Sequence, residues 1–244
     1  MLQDVIAMSA YTKQVMDKLM KLSDRDIAAH SKRFFKTGKG EYGEGDIFLG
    51  IRVPTIRKYV KEYRSISQED NLELLKSPFH EARMLALLIL LAKYSSAKME
   101  AEKEAIYRAY LGHTKFINNW DLVDCSAEYI VGAHLFQKDR KPIYRLARSK
   151  SLWERRISVM STFHFVKKED LSDTLAVAGL LLHDREDLIH KAVGWMLREV
   201  GKKKRNAEEK FLAKYYKEMP RTMLRYAIEK LPESERLAYL HGTR

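Results

Sequence analysis

The chain has 244 residues, 45% of them hydrophobic, which is ample for a continuous core and too apolar for an intrinsically disordered segment. Lys plus Arg total 45 against 33 Asp plus Glu, and the resulting charge of +12 makes a polyanion, nucleic acid foremost, the natural partner. Cys125 is the single cysteine, so an intrachain disulfide and a cysteine-rich zinc site are excluded, and a reducing cytoplasm fits.

From the N-terminus, Val5, Met8, Tyr11, Val15, Leu19 and Leu22 recur at helical spacing and predict an amphipathic helix. Asp4, Lys13, Asp17, Lys18 and Lys21 interrupt it, which denies the segment the uncharged core of a signal peptide or membrane span. After a helix over about 24–35, residues 37–46 hold four glycines and predict a mobile loop without the order of a phosphate-binding motif. Further helices are predicted over about 54–64, 68–76, 79–94, 98–111, 115–135, 140–148, 152–166, 171–182, 186–200, 207–218, 221–231 and 233–240. Ser67 with Asp70, Ser77-Pro78, Ser151, Ser172 and Pro220 sit where helices should begin. No run alternates as a strand would, and the longest apolar stretch, Met84 to Ala92, is too short to cross a bilayer.

Aligned helix patterns bring Arg83, Asp124, Arg156, Lys191 and Arg225 into one slot, at intervals of 41, 32, 35 and 34 positions. Such intervals suit a helix pair in a HEAT-type array, so the expected fold is all-α: an α-solenoid forming a single repeat domain over 1–244. The recurring cation would line a concave, basic row of helices. The alternative is a non-repetitive helical bundle with fortuitous spacing.

Asp124 is the one slot residue of opposite charge, and Trp120 precedes it by one helical turn. A carboxylate in a phosphate-binding groove repels the backbone and needs a reason. Stabilising a cationic transition state supplies one, whereas an Asp124–Arg156 ion pair joining adjacent repeats is the structural alternative. Tryptophan occurs only at 120, 153 and 195; Trp153 is expected in the core, while Trp120 and Trp195 stand beside the charged row, where they could grip a sugar or base. Arg83, Lys191 and Arg225 are candidate phosphate contacts, as are Lys202, Lys203 and Lys204 in a basic run placed between helices, with Lys167-Lys168 similar. The eight histidines form no HExxH pairing or comparable carboxylate-histidine motif for a metal, so no metal site is expected, and glycine motifs for nucleotides are absent.

Four blocks carry a resemblance: Phe48-Leu49-Gly50-Ile51 with Val53-Pro54; Asn119 to Asp124; Trp153-Glu154-Arg155-Arg156; and Ile189 to Glu199. In their order and spacing the chain resembles the HEAT-like DNA alkylation repair proteins, specifically alkylpurine DNA glycosylases of the AlkD type, over most of its length. The resemblance implies that Asp124 is the catalytic carboxylate, Trp120 and Trp195 are active-site tryptophans, and Arg156 supports the carboxylate and contacts DNA backbone. It further implies hydrolysis, without a cofactor, of the N-glycosidic bond of a cationic alkylated purine such as 3-methyladenine or 7-methylguanine in double-stranded DNA, leaving an abasic site. That family dispenses with a deep base pocket. Two other functions are weighed: a non-catalytic DNA-structure binder on the same array, and a protein-interaction scaffold. A monomer in the cytoplasm, away from membranes, is the default expectation.

Overall fold

The computed structural model describes residues 9–244; Asp4, Val5 and Met8, on which the start of the first predicted helix rests, lie outside the described residues. Helices account for the regular structure, and among the described residues the only β pairing is a single parallel bridge between Ile47 and Phe79. Paired helices stack as an α-solenoid of HEAT-like repeats, and none among the described residues is long and apolar enough to cross a membrane.

Contacts divide the chain into two compact units, up to Ser126 and from Ala127 onward. The first holds α1 (Ala10–Lys21), α2 (Arg25–Phe34), α3 (Val53–Glu62), α4 (Gln68–Leu75), α5 (His80–Ser96), α6 (Glu100–Gly112) and α7 (Trp120–Asp124). Side chains start several of them as the sequence predicts: the Ser67 hydroxyl accepts from the Asp70 amide at 3.0 Å, and Asp24 caps α2. At Ser77 the cap is displaced, because its hydroxyl accepts from Phe79 and α5 begins only at His80. This central helix is buried from His80 to Leu90, and α3, α4, α6 and α7 pack around it.

The second unit holds α8 (Ala133–Leu135), α9 (Lys141–Ala147), α10 (Leu152–Lys167), α11 (Ser172–Leu180), α12 (Asp187–Lys203), α13 (Arg205–Tyr215), α14 (Arg221–Ala227) and α15 (Glu233–His241). Here α10 packs on α12 and α12 on α14, so Arg156, Lys191 and Arg225 stand on successive neighbouring helices, as a repeat requires. Leu171, not Ser172, caps α11, and its side chain accepts no capping bond.

The helix predicted over about 115–135 is broken. A 3-10 turn covers Thr114–Phe116, the five-residue α7 follows a cap made by the Asn119 side chain on the Trp120 amide, and a π-helix spans Glu128–Gly132. The basic run is likewise not an inter-helix turn: Lys202 and Lys203 close α12, Lys204 is the only residue between, and Arg205 opens α13.

Two glycines permit close helix packing. A Cβ on Gly132 would lie 2.2 Å from the Ser161 carbonyl of α10, and one on Gly194 would lie 2.4 Å from the Met223 carbonyl of α14. Gly194→Ala should therefore destabilise the chain by about 1–3 kcal/mol despite alanine's better helix propensity, since the neighbour is rigid backbone. Gly112→Ala, which meets nothing within 4 Å, serves as the control. Urea midpoints check this; equal stability of Gly194→Ala and wild type would contradict the close-packing account.

Candidate active site

The site-bearing part of the first unit is built on a buried ionic cluster. His80, at the start of α5, bonds Asp46 through Nδ1 at 3.1 Å and Asp121 through Nε2 at 2.8 Å. Arg83, one turn on, donates to the other Asp46 oxygen at 2.5 Å and to the Ser77 and Pro78 carbonyls. Asn119 donates a further bond to Asp46 at 3.0 Å. Burial alone would strip His80 of its proton, but the two carboxylates reverse that and raise its pKa to about 9, so the ring is an imidazolium at neutral pH. Burial pushes the Asp46 carboxyl up, yet the His80 hydrogen bond and the Arg83 charge outweigh it and hold it below its ordinary value.

A second carboxylate braces the adjoining loop. Glu81 accepts from the Leu49, Gly50 and Ile51 amides at 2.9, 2.8 and 3.2 Å, gathering three backbone donors on one buried group. Gly50 has φ +84°, and a Cβ there would lie 2.0 Å from the Asp24 carbonyl, so only glycine fits. This explains the Phe48-Leu49-Gly50-Ile51 block as an architectural device. A cavity of about 380 Å³, lined in part by Phe35, Phe48, His80, Met84 and Asp121, opens beside the cluster and leaves Asp121 its partly accessible member.

Asp121 ties this cluster to α7, which carries Trp120 and Asp124, both half-buried. The Trp120 indole stacks on Phe35 with centroids 5.3 Å apart and meets Phe34 edge-on at 6.0 Å; Phe35 in turn lies 5.1 Å from both Phe48 and His80. Phe34, itself 57% exposed, continues the aromatic surface to solvent. Cys125 next door is no nucleophile: burial and the neighbouring Asp121 and Asp124 charges raise its thiol pKa far above neutrality.

In the second unit Trp195 is half-buried, and its Nε1 donates to Glu199 at 3.1 Å, one turn along α12, which fixes the plane of the indole. Lys202 also reaches Glu199, at 2.7 Å. Arg156 is buried and its Nη1 donates to the Leu188 carbonyl at 2.6 Å, bracing α10 against the start of α12. Arg155 pairs with Asp184 at 2.6 Å, whose carbonyl is bonded by His190 at the same distance, so these block residues also hold the helix turn in place. Lys191 pairs with Asp187 at 2.8 Å and is half-buried, whereas Arg225, Lys202, Lys203 and Lys204 are exposed.

Some expectations need correction. Arg83 is not a surface cation for phosphate: it is 4% exposed and committed to Asp46 and two carbonyls. Residues 37–46 form a loop of successive turns that deliver Asp46: the Gly38 amide bonds the Glu41 carboxylate at 2.7 Å, Gly40 that of Glu44 at 2.8 Å, and Gly43 the Lys36 carbonyl at 3.0 Å. Trp153 is half-buried, not a core residue. Asp46, His80, Glu81, Asp121, Phe34, Phe35 and Glu199 escape the sequence reading; Asp121 and Glu199, inside recognised blocks, were the accessible signals. Among the described residues no group of three or more His, Cys, Asp or Glu side chains is arranged to hold a metal ion.

The fold defines a HEAT-like helical-repeat protein. A solved structure described as a predicted DNA alkylation repair enzyme from Enterococcus faecalis superposes with a TM-score of 0.65 at 16% identity, covering 86% of this chain and 97% of that one. Residues 15–231 match the family described as DNA alkylation repair enzyme, and the chain belongs to it. No curated protein matches the sequence.

The imidazolium bridge gives stability a defined pH dependence. The folded pKa of His80 lies above its unfolded value, so its contribution is fully present below about pH 6.5 and is lost as pH rises through about 9. The shift corresponds to on the order of 3 kcal/mol. Between about pH 6 and about pH 10, the denaturant midpoint should fall further in wild type than in His80→Gln; equal falls would contradict the charged bridge.

Proposed function

We propose that the chain is a monofunctional DNA glycosylase that hydrolyses the N-glycosidic bond of cationic alkylated purines, such as 3-methyladenine and 7-methylguanine, in double-stranded DNA. The observation that carries this reading is α7 itself. One short helix presents a half-exposed carboxylate, Asp124, and a half-exposed indole, Trp120, whose orientation is fixed by stacking on Phe35. Membership of a DNA alkylation repair enzyme family supplies the damage class.

Alkylation has already made the purine a cation, so the base departs with the bonding electrons as a neutral molecule and needs no strong acid. Positive charge then develops on the deoxyribose. Asp124 stabilises it electrostatically and orients the water whose oxygen bonds to the anomeric carbon, while the water's proton passes to the carboxylate or to solvent. Trp120 offers an electron-rich face to the sugar, and the resemblance assigns the same role to Trp195, whose indole Glu199 keeps in one plane. The resemblance assigns the supporting role to Arg156, which is buried and donates to the Leu188 carbonyl. Lys191, Arg225, Lys202, Lys203 and Lys204 hold phosphates without reading sequence, which makes binding steeply salt-dependent.

Asp124→Asn should lower release of methylpurine from treated duplex roughly hundredfold or more, with affinity for the same duplex unchanged within about twofold. Chromatography of released base, run beside a binding titration, checks both. Undiminished release by the Asn variant would refute the assigned role, and binding with no release by wild type would favour a non-catalytic binder.

A further inference from the structure

An aromatic row in the second unit runs from Trp195 to two rings, Phe163 and Tyr129, that the reaction above does not use. The π-helix Glu128–Gly132 buries Glu128, Ile130, Val131 and Gly132 and leaves Tyr129 44% exposed. Such helices are rare and concentrate at functional sites, where the altered register re-aims a side chain. Lys167, at the end of α10, sits between two rings: its ammonium lies 5.4 Å from the Tyr129 centroid and 4.4 Å from that of Phe163. Phe163 lies 5.8 Å from Trp195, so the rings of the π-helix, α10 and α12 follow one another across a single face.

That face is basic. Lys167, Lys168, Lys202, Lys203 and Lys204 cluster where α10 and α12 end, and the Lys203–Glu169 contact of 3.9 Å links the two ends. The carboxylates beside them are committed: Glu128 to Lys167 at 2.5 Å, Glu199 to Lys202 and Trp195, and Glu169 to Lys203. The local field registers on His164, whose pKa is lowered first by burial and then by the Lys168 and Lys167 charges.

We propose that Tyr129, Phe163 and Trp195, with Lys167 between the first two, form a track that takes unpaired nucleotides of a DNA strand. The inference rests on the reading of DNA as partner. Bases within a duplex already have both faces stacked, so a partly exposed ring row gains a stacking partner only where bases have left the helix. The lysines serve the phosphates that accompany them, and the alternation of cation and ring matches the alternation of phosphate and base. Tyr129 is the critical member because it alone is largely exposed and contributes little to the core.

The test uses the full chain and fluorescence anisotropy with two undamaged probes, a paired duplex and the same duplex holding a short single-stranded gap. Wild type should prefer the gapped probe. Tyr129→Ala should bind that probe about tenfold more weakly while binding the paired duplex unchanged, and Tyr129→Phe should restore the preference. Equal binding of the gapped probe by Tyr129→Ala and wild type, or equal loss on both probes, would overturn the proposal. Because no base is released in this assay, its outcome is separable from the glycosylase reading: a chain without excision activity that shows the Tyr129 effect sinks only the earlier proposal, and excision without the effect sinks only this one.

Discussion

His80 stands between two carboxylates, and the first unit's site depends on that arrangement. The ring joins α5 to the loop carrying Asp46 and to α7 through Asp121, three segments that share no local sequence. Arg83 completes the neutralisation of Asp46, so two cations stand against two carboxylates. Removing one member would leave a buried charge uncompensated, at a cost of about 3–5 kcal/mol. Such a cluster specifies geometry: α7 has only five residues and could not hold its own position by helix propensity. With Asp121 anchored and Trp120 stacked on Phe35, the Asp124 side of the helix is set by contacts made elsewhere.

The second unit reaches comparable order by other means. Gly132 and Gly194 let neighbouring helices approach within reach of backbone, Arg155 and His190 converge on Asp184, and Glu199 fixes the Trp195 indole. Much of what looks like a functional signature in the sequence is therefore bracing. In the Trp153 to Arg156 block, Arg155 and the Glu154 carboxylate, which accepts from Ser149 at 2.5 Å, both secure the turn that starts α10. Chemistry needs only a few atoms of each block; the remainder keeps those atoms still.

The helices were legible because periodicity of apolar residues is a local property, and the repeat was legible because Arg156, Lys191 and Arg225 do recur on neighbouring helices. Arg83 fitted the same pattern but served a different purpose. Its partner Asp46 lies 37 positions away at the end of a glycine-rich segment, and no spacing rule connects them. The break inside 115–135 was also hidden, since Ile117 and the apolar residues from Leu122 to Val131 keep helical spacing while Asn119 caps a new helix in the middle. The π-helix leaves no compositional trace at all. The aromatic stack of Phe34, Phe35, Phe48 and Trp120 is likewise a product of tertiary packing between distant segments.

The proposed chemistry turns on the charge of the lesion: a carboxylate such as Asp124 favours a sugar cation, and the proposal assigns no acid to a neutral leaving group. The most direct measurement is single-turnover release from two duplexes identical except for the target base, 7-methylguanine in one and uncharged hypoxanthine in the other. The account predicts release from the first and none above background from the second. Comparable rates from both would contradict it, because a neutral purine departs only with acid assistance that this arrangement does not provide.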